Sequence, residues 1–197
     1  VVAYDESEMT ARLAAVDRAQ RTAFAAACAE RLWPLFERYV ATTGEGDSEA
    51  LRSVLDAAWL VAGGGTVSDL PDRQEVAEDM VPTDEGDWVF EMGYGQNAVA
   101  AVAYAVRTWL SDDPQEAVWA ARQVYEAADL AAQDASGESD MSSPGIEDAL
   151  LASPLVQTAL AGLAADLATV ESSAADGWEL LRERASGEGM AWASTLP

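Results

Sequence analysis

The side chains of this sequence that could do chemistry are carboxylates, arginines and one thiol. Two carboxylate pairs have a spacing that matters. Glu75 and Glu78, with Asp79 beside them, form one pair, and Glu126 and Asp129 form the other. A step of three residues puts both members on one face of a helix. If the two faces met, the four oxygen-bearing side chains could hold magnesium, a hard cation that takes oxygen ligands and assists phosphate chemistry. A simpler reading competes. Among 35 Asp and Glu, such pairs arise on solvated helix faces by chance, and Arg122 stands four residues before Glu126, where it forms a helical ion pair. No cluster of arginines waits for phosphates.

Composition excludes more than these pairs support. All 11 positive residues are Arg, and the chain has neither Lys nor His. Without His it lacks the usual acid–base group at neutral pH and the commonest metal ligand. Without Lys it has no Schiff-base amine and no P-loop lysine. Cys28, the one cysteine, is flanked by alanines in a helical stretch and reads as a small buried hydrophobe rather than a nucleophile. Asp84-Glu85-Gly86-Asp87 lacks the alternating ligands of a calcium loop, and no dinucleotide fingerprint or G-x-S-x-G is found. No cofactor is expected. The net charge of −24 argues against nucleic acid and anionic membrane as partners and for a basic protein partner or bound cations. The same charge also fits plain solubility or the composition of a GC-rich host. No basic leader and no long apolar run stand at Val1-Val2-Ala3, so a cytoplasmic location is the expectation.

The elements that must position these residues are all helical, because no stretch alternates with strand chemistry. The expectation is a single-domain, all-α bundle of about seven helices over residues 1–197. The first runs from Ser7 to Val16. The second begins near Arg18 and carries Phe24, Cys28, Leu32, Leu35 or Phe36, and Tyr39 as a core stripe. Pro34 should kink or split it by removing the hydrogen bond to the Glu30 carbonyl, and Gly44 should end it. The third starts at Asp47 or Ser48, with Glu49 and Arg52 paired, and stops at Gly63. The fourth spans Pro71 to Val81. The fifth, with no charge from Met92 to Val106, packs through Val99, Val102, Ala103, Val106 and Leu110; Gly93-Tyr94-Gly95 reads as the turn that opens it. The sixth opens on Asp113 and Pro114 and runs to Gln133. Residues 134–145 read as a flexible linker. One long last helix from Ser153-Pro154 to Gly187 carries Val156, Leu160, Leu163, Leu167, Val170, Ala174 and Leu181. That near-heptad seam suits bundle packing, and also leaves a homodimer contact open.

Phe24, Glu30-Arg31, Trp33-Pro34, Phe36, Gly44-x-Gly46-Asp47, and Leu55-Asp56 with Trp59 occur in an order that resembles the signature of the YjaG-like proteins, an uncharacterised all-helical bacterial family classed as a domain of unknown function (DUF416). The resemblance extends through Tyr94–Leu110 to the last helix. It implies a compact helical protein without an established activity. Read physically, Glu30 and Arg31 are a buried or half-buried ion pair fixing the crossing of helices two and three, with the carbonyls freed by Pro34 or a carboxylate such as Asp56 as partners for Arg31. Trp33 and Trp59 are core indoles seeking acceptors, and Asp47 is a helix cap. In a functional reading Glu30, Arg31, Pro34, Asp47, Asp56 and Trp59 wall a small pocket.

Two functions follow. The first is a non-enzymatic interaction or regulatory module. Its acidic surface, with the loops at 84–91 and 134–140, would dock a basic partner; an immunity or antitoxin protein binding a basic toxin is one form. The second is a magnesium-dependent, all-helical nucleotide pyrophosphohydrolase built on the four paired carboxylates.

Overall fold

The computed structural model describes residues 1–83, 88–137, 144–172 and 178–197. Among them the chain forms nine helices and no strand. In order these are α1 (Glu6–Ala14), α2 (Arg18–Thr43), α3 (Ser48–Ala62), α4 (Leu70–Asp79), α5 (Phe90–Ser111), α6 (Pro114–Ser136), α7 (Ile146–Leu151), α8 (Pro154–Ser172) and α9 (Glu179–Ala193).

α2 is the hub. It packs against α3, α5, α6, α8 and α9, and every residue from Thr22 to Leu32 is buried. A helix buried on all sides must be apolar and slim on all sides. The run Ala23-Phe24-Ala25-Ala26-Ala27-Cys28-Ala29 is apolar throughout and, apart from the fully buried Phe24, small. Cys28 is fully buried, and burial pushes its thiol pKa well up. The stripe Phe24, Cys28, Leu32, Leu35, Phe36 and Tyr39 lies in the core.

The helix ends are fixed by caps of known chemistry. Asp17 and Gln20 form a capping box on α2, and Gly44 closes it at φ 73°. The Asp47 side chain accepts from the Ala50 N–H at 2.9 Å to start α3. The Asp113 side chain accepts from the Gln115 N–H at the start of α6, and Gly137 closes that helix at φ 64°.

Several expectations are corrected. α2 is one continuous helix; Pro34 lies inside it and does not end or split it. The long last helix is two helices, α8 and α9, and Gly187 sits within α9 instead of stopping it. α7 was not expected. Residues 134–136 close α6 and are not linker; 138–143 of that linker lie outside the described residues, as do 84–87 of the acidic loop and Ala174 of the seam. Leu110 is 36% exposed rather than core. Gly93-Tyr94-Gly95 is helix, not turn: a Cβ at Gly95 would stand 2.6 Å from the Tyr39 ring, so the glycine lets α2 lay an aromatic ring on the α5 backbone. No described helix is long and apolar enough to cross a membrane.

Candidate functional site

Glu30 and Arg31 are neighbours in sequence but point to different parts of the bundle, as adjacent helical residues must. Both are 4% exposed. Glu30 turns toward α3 and α9. Its carboxylate accepts from Arg52 Nη1 at 2.9 and 3.0 Å and from the Trp59 indole N–H at 3.1 Å. Arg182 Nε of α9 lies 3.5 Å away. Arg52 therefore serves Glu30 and not Glu49, and its guanidinium also covers the Trp33 ring at 3.7 Å.

Asp56 is not the partner of Arg31. It pairs with Arg182. Together Asp56, Trp59, Leu60, Gly63, Trp178 and Arg182, with Glu179 at the edge, line a cavity of about 500 Å³ between α3 and α9. The indole N–H groups of its two tryptophans point away into the protein, Trp59 to Glu30 and Trp178 to the Ala62 carbonyl at 2.9 Å. What they offer the cavity is aromatic surface. Of the six residues expected in a pocket wall, Asp56 and Trp59 line this one and Glu30 stands directly behind it. Asp47 is spent on the α3 cap, and Pro34 is a half-buried position of α2 that lines no cavity described here.

Arg31 turns the other way, to α8 and α9. Its Nε donates to Asp166 Oδ2 at 2.9 Å and its Nη2 to Glu188 Oε2 at 2.7 Å. Asp166 is completely buried and also accepts from Arg184 Nη2 at 2.7 Å. Two helix-interior glycines make room. A Cβ at Gly162 would stand 2.6 Å from the Arg31 guanidinium, and one at Gly189 would stand 2.6 Å from the Arg31 carbonyl oxygen. A second cavity, of about 480 Å³, opens beside this cluster.

None of Asp166, Glu188, Arg184, Gly162 and Gly189 stood out in the sequence. A signal was present for some. Asp166 is the only charge between Pro154 and Val170 and falls on the apolar stripe of α8, at steps of three and four from Leu163 and Val170. An acid there must be paired. Helix-interior glycines likewise mark close approach.

The four carboxylates of the magnesium reading do not assemble. Glu78 accepts from Gln74 at 2.8 Å and lies 3.7 Å from Arg107, Glu126 pairs with Arg122 at 2.8 Å, Asp129 accepts from Gln133, and Glu75 is exposed. Among the described residues no three acidic, cysteine or histidine side chains gather as metal ligands would.

The signature segment thus organises two buried clusters around consecutive residues of one central helix, and the family comparison covers both. The family described as "Protein of unknown function (DUF416)" matches residues 8–191. The chain belongs to the DUF416 family. A crystal structure of a DUF416 family protein from Shewanella baltica OS155 is similar to it, with 17% identity, a TM-score of 0.77, and coverage of 89% of this chain and 92% of that one. At that identity the likeness shows the shared fold. No curated protein matches the chain significantly. Every residue of the Glu30 and Arg31 clusters falls inside the stretch that the DUF416 family matches.

Proposed function

We propose that this DUF416 protein is a non-enzymatic interaction module that docks a basic segment of a partner protein, with the cavity between α3 and α9 as the docking point. The observation that carries this reading is the state of the arginines. Every arginine other than Arg18 pairs with a carboxylate of the chain. Arg18 donates to the Trp109 carbonyl and covers the Trp109 ring at 4.4 Å. Ten of the 11 arginines are thus matched locally by carboxylates, and the excess of acids, a net charge of −24, gives the molecule a strongly negative field.

The cavity supplies a place where that field meets apolar surface. Leu60, 52% exposed, stands in its wall, and Leu180, 79% exposed, follows Glu179 on α9. Arg182 supports the choice of occupant. Its guanidinium already sits 5.9 Å from the Trp59 ring and on Asp56. An incoming Arg or Lys would meet the same aromatic surface and carboxylates, with Arg182 falling back on Glu30.

The test is calorimetric titration with a synthetic peptide alternating Arg and Leu, against its Glu-for-Arg counterpart. The basic peptide should bind and weaken as salt is raised, because steering charges are screened. Asp56→Asn with Glu179→Gln should weaken it several-fold more than Glu147→Gln with Asp148→Asn, an equal charge change on the exposed face of α7. Equal losses from the two pairs, or indifference to salt, would sink the reading.

A further inference from the structure

The cavity beside Arg31 differs from the one between α3 and α9 in having a buried cation at its floor. Val124, Ala159 and Trp192 are buried around Arg31, whereas Ala161, Glu188 and Thr195 are exposed at the mouth. The walls are mostly apolar, and a volume of about 480 Å³ lies in the range of small-molecule sites, about 300–1,000 Å³.

Arg31 is not saturated. A guanidinium has more N–H donors than its two carboxylates use here. Nε is taken by Asp166, and Nη2 by Glu188 with a longer contact of 3.5 Å to the Gly162 carbonyl, but Nη1 makes no hydrogen bond among the described residues, although the side chain is only 5% exposed. Nη1 is therefore a donor that the protein leaves open to the cavity, available to an acceptor that enters it.

The two carboxylates on Arg31 are also unequal. Asp166 is fully buried and shared with Arg184, so it is fixed. Glu188 is 48% exposed, so its carboxylate can exchange Arg31 for water, but the buried guanidinium it leaves then needs another acceptor. When it does, Arg31 and Arg184 face Asp166 alone, and the cluster carries one net positive charge. Nη2 then keeps only its long contact with the Gly162 carbonyl, at 3.5 Å, beside the idle Nη1. Those two nitrogens form the end-on fork that matches a carboxylate.

We propose that this cavity binds a small monocarboxylate with an apolar body. The ligand carboxylate takes the place of Glu188 on the Nη1–Nη2 fork of Arg31, and the body lies against Val124, Ala159 and Trp192. Glu188 is the in-chain stand-in for that ligand, and holds the cation while the site is empty. The site is separate from the α3–α9 docking point and does not depend on it.

The test uses the full chain with sodium octanoate and octanamide as probes, by calorimetry. Octanoate should bind, and octanamide at least about tenfold more weakly, because it has no charge for the fork. Glu188→Gln removes the competing charge and should tighten octanoate several-fold. Ala161→Trp fills the mouth from an exposed helix position and should abolish binding while the melting temperature stays unchanged. Added salt should leave octanoate binding unchanged or strengthen it, since it screens the overall negative charge. That dependence is opposite to the one expected for the basic peptide, so either reading can fail alone. Equal binding of octanoate and octanamide, no binding of either, or an octanoate affinity that Glu188→Gln leaves unchanged or weakens would each overturn the proposal. Both variants are at exposed positions, so the test does not rest on replacing Arg31, whose loss would strip Asp166 of a partner.

Discussion

Arg31 Nε and Asp166 Oδ2 meet at 2.9 Å in the interior of the bundle, and neither side chain is more than 5% exposed. The pair ties the central helix α2 to α8, and Arg184 on the other oxygen of Asp166 adds α9. Taking such charges out of water is expensive, and the pair repays it only while both members are present. Asp166→Ala leaves Arg31 with Glu188 alone and Arg184 with no carboxylate. The expected loss is about 3–5 kcal/mol, the usual cost of breaking a buried pair from one side. Urea denaturation of the two proteins measures it. A loss under about 1 kcal/mol, the worth of an exposed pair, would mean that the cluster is effectively solvated.

Three glycines of the same region should respond differently to alanine. At Gly189 the new Cβ would meet the Arg31 carbonyl oxygen at 2.6 Å and its Cα at 2.9 Å, and backbone cannot step aside. At Gly162 it would meet the guanidinium at 2.6 Å, which is held at both ends. Each substitution should cost about 1–3 kcal/mol by overpacking. At Gly187, in the same helix as Gly189, nothing lies within 4 Å. There the higher helix propensity of alanine should raise stability by about 1 kcal/mol or less. Thermal melts of the three variants check the ranking; a stabilised Gly189→Ala would mean that α9 does not press on α2 as described.

The sequence displayed what is local. Asp47 and Asp113 marked helix starts because a cap acts within three residues of itself. The stripe of α2 was legible because the helical period repeats inside one element. The final stripe misled for the same reason: Val156 to Val170 and Leu181 keep a compatible spacing, so periodicity carried one helix across what are α8 and α9. α7, from Ile146 to Leu151, is too short to show a period. Gly187 looked like a stop, but a glycine with ordinary helical backbone and open space around it simply continues the helix. The partners of Arg31 were out of reach of any spacing rule, because Asp166 is 135 residues away and Glu188 is 157. Likewise, spacing put Glu75 with Glu78 and Glu126 with Asp129 on single faces, but could not say whether the two faces meet.

Two glutamates should give pH dependences of opposite sign. Glu116 accepts from Arg107 Nη2 at 2.8 Å through one oxygen, while its other oxygen is buried without a hydrogen bond. Burial pushes its pKa up, outweighing the contact with Arg107. The folded state then holds the proton more tightly than the unfolded chain, so stability falls as pH rises from the ordinary glutamate value through the raised one. Glu171 is the reverse. Arg12 grips both its oxygens at 2.8 Å, and that hydrogen bonding holds its pKa down. Its contribution is complete above the ordinary value and is lost as pH falls through the depressed one. Denaturation series across the acid range should therefore show Glu116→Gln gaining on the parent protein as pH rises, and Glu171→Gln losing ground. Parallel curves for the two variants would show that neither carboxyl is perturbed in the direction its surroundings dictate.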